Sequence, residues 1–229
     1  LTLKIIQGIM YYAPIGIIGL TASGVSSMKN SFLETMGSFL IAFTIAWAAQ
    51  IIICYFGMLS VIGKVNPFKF TKKMFPALIT AFTTTSSSGT LPMTLKCTKD
   101  LGVDDEIADF GIPLGVTFNM DSMGILIPLY IFLGMGVIGQ TPNVGDLFIM
   151  VVMGIAFSVG CAGVPGGGLA IAAILIDAFG LPTECVGWIA ACFFYIDAVS
   201  TPMNIWGDAV CSLIVAKGEG RFNIDKFNS

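Results

Sequence analysis

The sequence predicts an all-α membrane protein built as an inverted repeat, with two re-entrant helical hairpins and broken spanning helices. Three observations lead there. Of the 229 residues, 55% are hydrophobic and only 11% are charged, with a mean hydropathy of +0.89; that balance belongs to polytopic membrane proteins and not to soluble domains. Two apolar runs are divided at their centres by hydroxyl-rich or glycine-rich segments. Two other apolar runs carry carboxylates at depths where a charge costs at least a few kcal/mol.

Composition also excludes several functions. A formal net charge of −3 is too small to point to nucleic acid. The chain has no His, so histidine metal sites and Ser-His-Asp triads are ruled out. Cys54, Cys97, Cys161, Cys185, Cys192 and Cys211 lack metal spacing and fall mostly inside apolar runs. They read as small buried residues without a disulfide framework. The chain begins at Leu1, at the edge of an apolar helix and with neither an initiator Met nor a signal peptide. The expectation is a piece of a longer protein whose N-terminal half lies outside this chain.

Residues 5–22 form a first apolar segment, with a kink expected at Pro14, and 36–63 form a second, uncharged and bounded by Glu34 and Lys64. Both are long enough to cross about 30 Å of hydrocarbon. The run 74–95 differs, because its centre is Thr83-Thr84-Thr85-Ser86-Ser87-Ser88-Gly89-Thr90-Leu91-Pro92. It divides into two halves of about eleven residues, neither of which spans alone, and a polar backbone of this kind cannot face lipid. A re-entrant hairpin with its tip buried in protein meets both constraints; one kinked helix with hydroxyls bonded back to carbonyls is the alternative.

A charged connector follows (Lys96 to Asp109), and then a helix interrupted at Asn119-Met120-Asp121. Asp121 is the only charged side chain between Asp109 and Asp146. It reads as a cation ligand or transport-path residue, or else as a cap at a helix break. The run 147–176 repeats the hairpin pattern around Gly160-Cys161-Ala162-Gly163-Val164-Pro165-Gly166-Gly167-Gly168. No preceding strand and no GKS or GxGxxG accompany these glycines, so phosphate binding is a weak reading. In the last span, 183–216, Asp197, Thr201, Asn204 and Asp208 fall within about 60° of one another on a helix, with Ser200 at the edge of that stripe. Such a face serves either a ligand or a polar helix–helix contact. Pro202 predicts a local break near Asn204 that frees carbonyls.

If the spans alternate and each hairpin returns to its own side, Lys4, Lys64, Lys69, Lys72, Lys73, Lys96, Lys99, Lys217, Arg221 and Lys226 share one side, and only Lys29 lies opposite. That asymmetry obeys the positive-inside rule and places the C-terminus in the cytoplasm. The pattern is a hairpin followed by a polar-centred helix, twice, with opposite entry sides. Inverted repeats of this kind, with broken helices meeting at mid-membrane, are the signature of secondary transporters. Asp121 and Asp208, with carbonyls near Asn119 and Asn204, suit a hard cation such as Na⁺.

Four motifs together, Ser86-Ser87-Ser88-Gly89-Thr90-Leu91-Pro92, Asn119-Met120-Asp121, Ala162-Gly163-Val164-Pro165-Gly166-Gly167-Gly168 and Asn204-Ile205-Trp206-Gly207-Asp208, resemble the dicarboxylate/amino acid:cation symporter family. That family includes the excitatory amino acid transporters and archaeal aspartate transporters. The resemblance covers essentially the whole chain and implies the C-terminal half of such a protein. Residues 1–66 would be spans five and six on the scaffold side. Residues 67–229 would be the transport core: hairpin 1 (67–100), span seven (105–139), hairpin 2 (145–180), span eight (183–217) and a cytoplasmic tail (218–229). The first four spans would be missing from this chain.

The resemblance further implies a homotrimeric elevator transporter in the cell (plasma or inner) membrane, with no enzymatic activity, carrying substrate and two to three Na⁺ ions. One sodium site would use backbone oxygens of Gly115, Asn119 and Asn204 with the Asp208 carboxylate. A second would use carbonyls of Thr117, Ser158, Val159 and Cys161 beside the Met120 thioether. A third would use Asp121 and the Asn119 side chain, with ligands from the missing half. Substrate would lie between the Ser86–Ser88 tip, the Val164–Gly168 tip and span eight, next to Met123, Ser200 and Thr201. Asn204 would hold its α-carboxylate and Asp197 its α-ammonium. Ile196-Asp197-Ala198 also resembles a family Ile-Asp-Ala four residues upstream of the amino-binding aspartate; the gapless match back from Asn204 favours the amino-binding role.

Departures from the family pattern sharpen the expectation. Ser200 stands where acidic-substrate members have an arginine, Thr85 stands where others place it, and Met123 replaces a threonine that faces the substrate side chain. Ile127 replaces the glutamate of proton-coupled members. The expected activity is Na⁺-coupled symport of a small neutral amino acid of the serine, threonine or alanine type, without an obligatory proton. Na⁺- or H⁺-coupled symport of glutamate, aspartate or a C4-dicarboxylate is the alternative. A channel or a non-transporting membrane subunit is a more distant one.

Overall fold

The computed structural model describes residues 15–16, 18–19, 22, 32–161, 163 and 166–229. The expected first span, 5–22, its Pro14 kink, and Lys4 and Lys29 lie largely or wholly outside them. Among the described residues nine α-helices follow in order: α1 (Phe32–Ala49), α2 (Pro67–Thr84), α3 (Ser87–Asp100), α4 (Asp105–Phe118), α5 (Asp121–Val137), α6 (Val144–Gly160), α7 (Gly167–Ala178), α8 (Glu184–Gly218) and α9 (Ile224–Asn228). After α1 the same helix continues through two π-helical stretches, Gln50–Tyr55 and Met58–Ile62. Among the described residues three helical stretches, 34–62, 105–137 and 184–218, are long and apolar enough to cross a membrane. The chain is an all-α membrane protein.

Local chemistry sets the helix boundaries. Asn66 accepts hydrogen bonds from the Phe68 and Lys69 amides at 2.9 and 3.2 Å, and Pro67 occupies the first turn of α2, where its missing N–H is harmless. Asp104 caps α4, and Asn143 and Asp146 form a reciprocal capping box at the start of α6. The hairpin arms are longer than the two halves of about eleven read from the apolar run: α2 has 18 residues and α3 has 14. The reason is that their polar ends, including Lys69, Lys72, Lys73, Lys96 and Lys99, continue the helix beyond the apolar stretch.

The described core divides into two clusters. One gathers Phe39 and Phe43 of α1, the apolar face of α5, and α7 with the first half of α8. The other gathers Tyr55 and Leu59 beyond α1, α2, α4, the second half of α8 and Phe227 of α9. Ile125 packs against both. Between them lies a polar layer made by the α4–α5 break and the middle of α8.

α8 departs from expectation. It runs unbroken for 35 residues through Pro202. Every residue from Ser200 to Val210 is buried, so packing on all sides holds the backbone in register, and the Thr201 hydroxyl donates back to the Asp197 carbonyl at 2.9 Å. The carbonyls expected to be freed near Asn204 remain within a continuous helix.

Candidate ion and substrate site

The two hairpin tips meet. α2 ends at Thr85, which adopts the left-handed conformation (φ 48°, ψ 29°), and Ser86 caps α3 by accepting from the Gly89 amide at 3.0 Å. The Ser88 amide donates to the Gly163 carbonyl at 3.2 Å, and the Ser86 hydroxyl to the same oxygen at 3.4 Å. A Cβ at Gly163 would stand 2.9 Å from the Val116 carbonyl oxygen and 3.3 Å from the Ser87 Cβ. Only glycine lets the second tip approach the first this closely.

The break in the 105–137 stretch supplies the floor. Asn119 (φ −130°, ψ 87°) and Met120 (φ −103°, ψ 80°) leave helical geometry between α4 and α5. The Met120 amide donates to both the carbonyl and the hydroxyl of Ser158, at 3.2 and 3.1 Å. On the other side the Asn204 carboxamide accepts from the Ser122 amide at 2.9 Å and donates to the Met120 sulfur at 3.2 Å. One side chain from α8 thus closes the opened turn.

Two carboxylates are seated reciprocally on glycines. Asp208 of α8 lies against Gly115 of α4, and Asp121, at the start of α5, lies against Gly207 of α8; a Cβ at either glycine would collide with the carboxylate. The Asn119 amide donates to Asp208 Oδ1 at 2.9 Å. Asp208 is 3% exposed, and its Oδ2 has no partner among the described residues. A buried carboxylate oxygen without a donor demands a counter-charge. Asp121 Oδ2 accepts from the Tyr55 hydroxyl at 2.5 Å, and the same hydroxyl lies 3.1 Å from the Met203 carbonyl. Among the described residues no three His, Cys, Asp or Glu side chains cluster. Two carboxylates, an amide and main-chain oxygens fit an alkali cation better than a transition metal.

Above this layer is a cavity of about 30 Å³. Ser87, Met123, Gly168, Asp197, Ser200 and Thr201 line it, together with Asn204, Met120 and Thr85. Asp197 Oδ2 accepts from the Gly166 amide at 3.2 Å, so this carboxylate is tied to the second tip. The Ser122 and Ser200 hydroxyls, both on the cavity wall, are buried without partners. Asp197 is the only charged side chain among the described lining residues.

Of the sequence-derived site residues, Gly115, Asn119, Met120, Asp121, Ser158, Asn204 and Asp208 come together as one polar layer. Ser86 and Ser88 serve the contact between tips and do not line the cavity. The Thr117 and Val159 side chains are exposed, and the Thr117 hydroxyl donates back to the Pro113 carbonyl at 2.8 Å. Cys161 is buried, lines the cavity and ends α6 through its amide. Val164 lies outside the described residues. Sequence reasoning missed Tyr55, Ser122, Gly163 and Gly207. Tyr55 is an isolated hydroxyl in an apolar run, and periodicity alone gave no reason to aim it at Asp121.

A model of the sodium:dicarboxylate symporter family matches residues 1–218. Neutral amino acid transporter A from Homo sapiens is 34% identical over 216 residues, covering 91% of this chain and 40% of its own length. Excitatory amino acid transporter 4 from Mus musculus is 33% identical over 218 residues, covering 93% and 38%. Excitatory amino acid transporter 3 from Bos taurus is 35% identical over 222 residues, covering 94% and 42%. The chain spans about two fifths of the length of these relatives.

Proposed function

Because this chain belongs to the sodium:dicarboxylate symporter family, we propose that it forms the ion- and substrate-carrying portion of a Na⁺-coupled symporter for a small neutral amino acid. The observation that carries the neutral reading is the cavity wall. Among the described lining residues the one charged side chain is Asp197, an anion suited to an α-ammonium, and beside it stand the Ser122 and Ser200 hydroxyls, which have no partner among the described residues. A substrate with a second carboxylate would sit there without a cationic partner, at a cost of several kcal/mol. Serine or threonine would instead offer a hydroxyl to those two serines, and alanine a methyl to Met123.

The coupling ion is supported by the polar layer beneath. Asp208 Oδ2 requires a positive partner; Asp121 lies across Asn119 from it, and Met120 and Ser158 close the far side. Two or three Na⁺ ions carried with the substrate is the reading these groups favour. Ile127, fully buried, contributes no titratable group for a coupled proton. The elevator mechanism and the homotrimer are part of the same proposal, as is the transport core spanning 67–229. The 34–62 helix, placed on the scaffold side by the sequence reading, is hydrogen-bonded to that core through Trp47 to the Val199 carbonyl at 3.1 Å and through Tyr55, so it travels with the core in this proposal. A cytoplasmic C-terminus is supported by Lys69, Lys73, Lys99, Lys217 and Arg221 gathering around the tail and the adjoining loops.

The test is uptake of labelled serine into proteoliposomes containing the full-length protein. Uptake is expected to require inward-directed Na⁺ and to be competed by threonine and alanine more strongly than by aspartate or glutamate. Stronger competition by the acidic amino acids would sink the neutral assignment; uptake persisting without Na⁺ would sink the coupling.

A further inference from the structure

Tyr55 is 3% exposed and closes a π-helical stretch, Gln50–Tyr55. Such stretches are rare and concentrate at functional sites, because the added residue redirects a side chain at the expense of regular hydrogen bonding. Here the redirected group is a hydroxyl 2.5 Å from Asp121 Oδ2 and 3.1 Å from the Met203 carbonyl. Gly207 leaves the space: a Cβ there would stand 2.9 Å from the Tyr55 oxygen and would strike the carboxylate. Three separate features therefore converge on one O–H group that packing alone would not need, since a phenylalanine ring fills the same volume.

We propose that Tyr55 is a positioning residue of the cation site, its hydroxyl donating to and orienting the Asp121 carboxylate. The proposal rests on the assignment of Asp121 to Na⁺ coupling made above. The donated hydrogen bond holds Oδ2 and leaves the remaining lone pairs of the carboxylate for the ion. A hydrogen-bonded partner behind a ligating carboxylate governs metal affinity in this way without touching the metal. Because Tyr55 belongs to the 34–62 helix, Na⁺ affinity then depends on how that helix is docked against α5 and α8.

The experiment is Na⁺ titration of the thermal stability of the purified full-length protein, as wild type, Tyr55→Phe and Trp47→Phe. Trp47→Phe removes another hydrogen bond from the same helix to α8, distant from the carboxylates, and reports simple loss of docking. Tyr55→Phe is expected to raise the half-stabilising Na⁺ concentration by about tenfold or more, while Trp47→Phe lowers the melting temperature but leaves the Na⁺ dependence at wild type. Amino acid affinity at saturating Na⁺ is expected to stay within about twofold for Tyr55→Phe, because Tyr55 does not line the cavity. Gly207→Ala, which crowds the same pair from the opposite side, should raise the Na⁺ requirement likewise and serves where Tyr55→Phe does not fold. A wild-type Na⁺ curve in either variant, or an equal shift in Trp47→Phe, overturns the proposal. A wild type that Na⁺ does not stabilise at all overturns the coupling assignment beneath it, and so separates the two failures.

Discussion

The two hairpins share a plan and differ in how they are held. The first arm of the α2–α3 hairpin buries Phe70, Met74, Ala77, Leu78 and Ala81. The first arm of the α6–α7 hairpin buries only Met150 and Gly154 and exposes Phe148, Val151 and Ile155. The tips contrast as well. Ser86 caps α3 with its own hydroxyl, whereas α7 starts from Gly166 at φ 84° with no side-chain cap.

The base of the α2–α3 hairpin is also clamped by the chain's end. Phe227 of α9 is 1% exposed, with the Lys69 and Lys73 ammonium groups each 5.8 Å from its ring centre. Lys73 donates to the Lys226 carbonyl at 2.6 Å, and the Asn223 amide to the Gly102 carbonyl at 2.8 Å. Arg221 pairs with Asp104 and Glu106. No described residue performs this service for the α6–α7 hairpin, whose inward anchors are α5, the packing of α7 on the first half of α8, its tip contacts and the Asp197 carboxylate. The lesson is a division of labour: one hairpin is fastened along both arms and clamped at its base, the other is held at its tip and through the packing of its second arm on α5 and α8.

The largest test of that contrast is Phe227→Ala. Emptying this buried ring site is expected to cost about 3–5 kcal/mol and to raise amide hydrogen exchange at 67–75 and 95–104, leaving 144–178 unchanged. Equal loosening of both hairpins would erase the distinction. A medium effect is expected from the caps. Ser86→Ala and Asn143→Ala should each lower stability by about 1 kcal/mol, measured by thermal unfolding. Only the first should also weaken substrate binding, because Ser86 holds the contact between the tips and Asn143 sits at the far end of its hairpin.

The smallest effect is electrostatic. Lys99 pairs with Asp109 at 2.8 Å across the α3–α4 connection, and that hydrogen bond holds its ammonium above the ordinary lysine range. A raised cation pKa means that the contribution is complete at neutral pH and is lost as pH climbs through the lysine range and beyond. Lys99→Met should remove a slight alkaline step from the stability profile and leave neutral-pH transport intact; an acid-side step would contradict the sign.

Much of the architecture was legible in the residues. Hydroxyls and glycines at the centres of apolar runs marked both tips, because a polar backbone in hydrocarbon has to find protein around it. Asp121 and Asp208 announced themselves as carboxylates without local counter-charges. The absence of an arginine at Ser200 and Thr85 set an expectation about substrate charge, which the uptake competition tests. Less was legible about α8. Pro202 argued for a break, yet burial of the whole 200–210 stretch kept the helix continuous, which is a tertiary effect that no local propensity encodes.

What the sequence determined alone was the all-α membrane class, the places where regular helix had to be interrupted or to carry charge, and the family. The class and the interruptions follow from composition and periodicity, which act over a few neighbouring residues, and the family resemblance from four short motifs. The tertiary structure decided which groups meet across distances of 38 to 151 residues: Met120 on Ser158, Asn119 on Asp208, Tyr55 on Asp121, and Thr44 beside Tyr195. It also decided that Gly115 and Gly207 exist to let two carboxylates reach the backbone of a neighbouring helix. Those pairings depend on how helices rotate and cross, and helix rotation is settled by packing of all the faces at once.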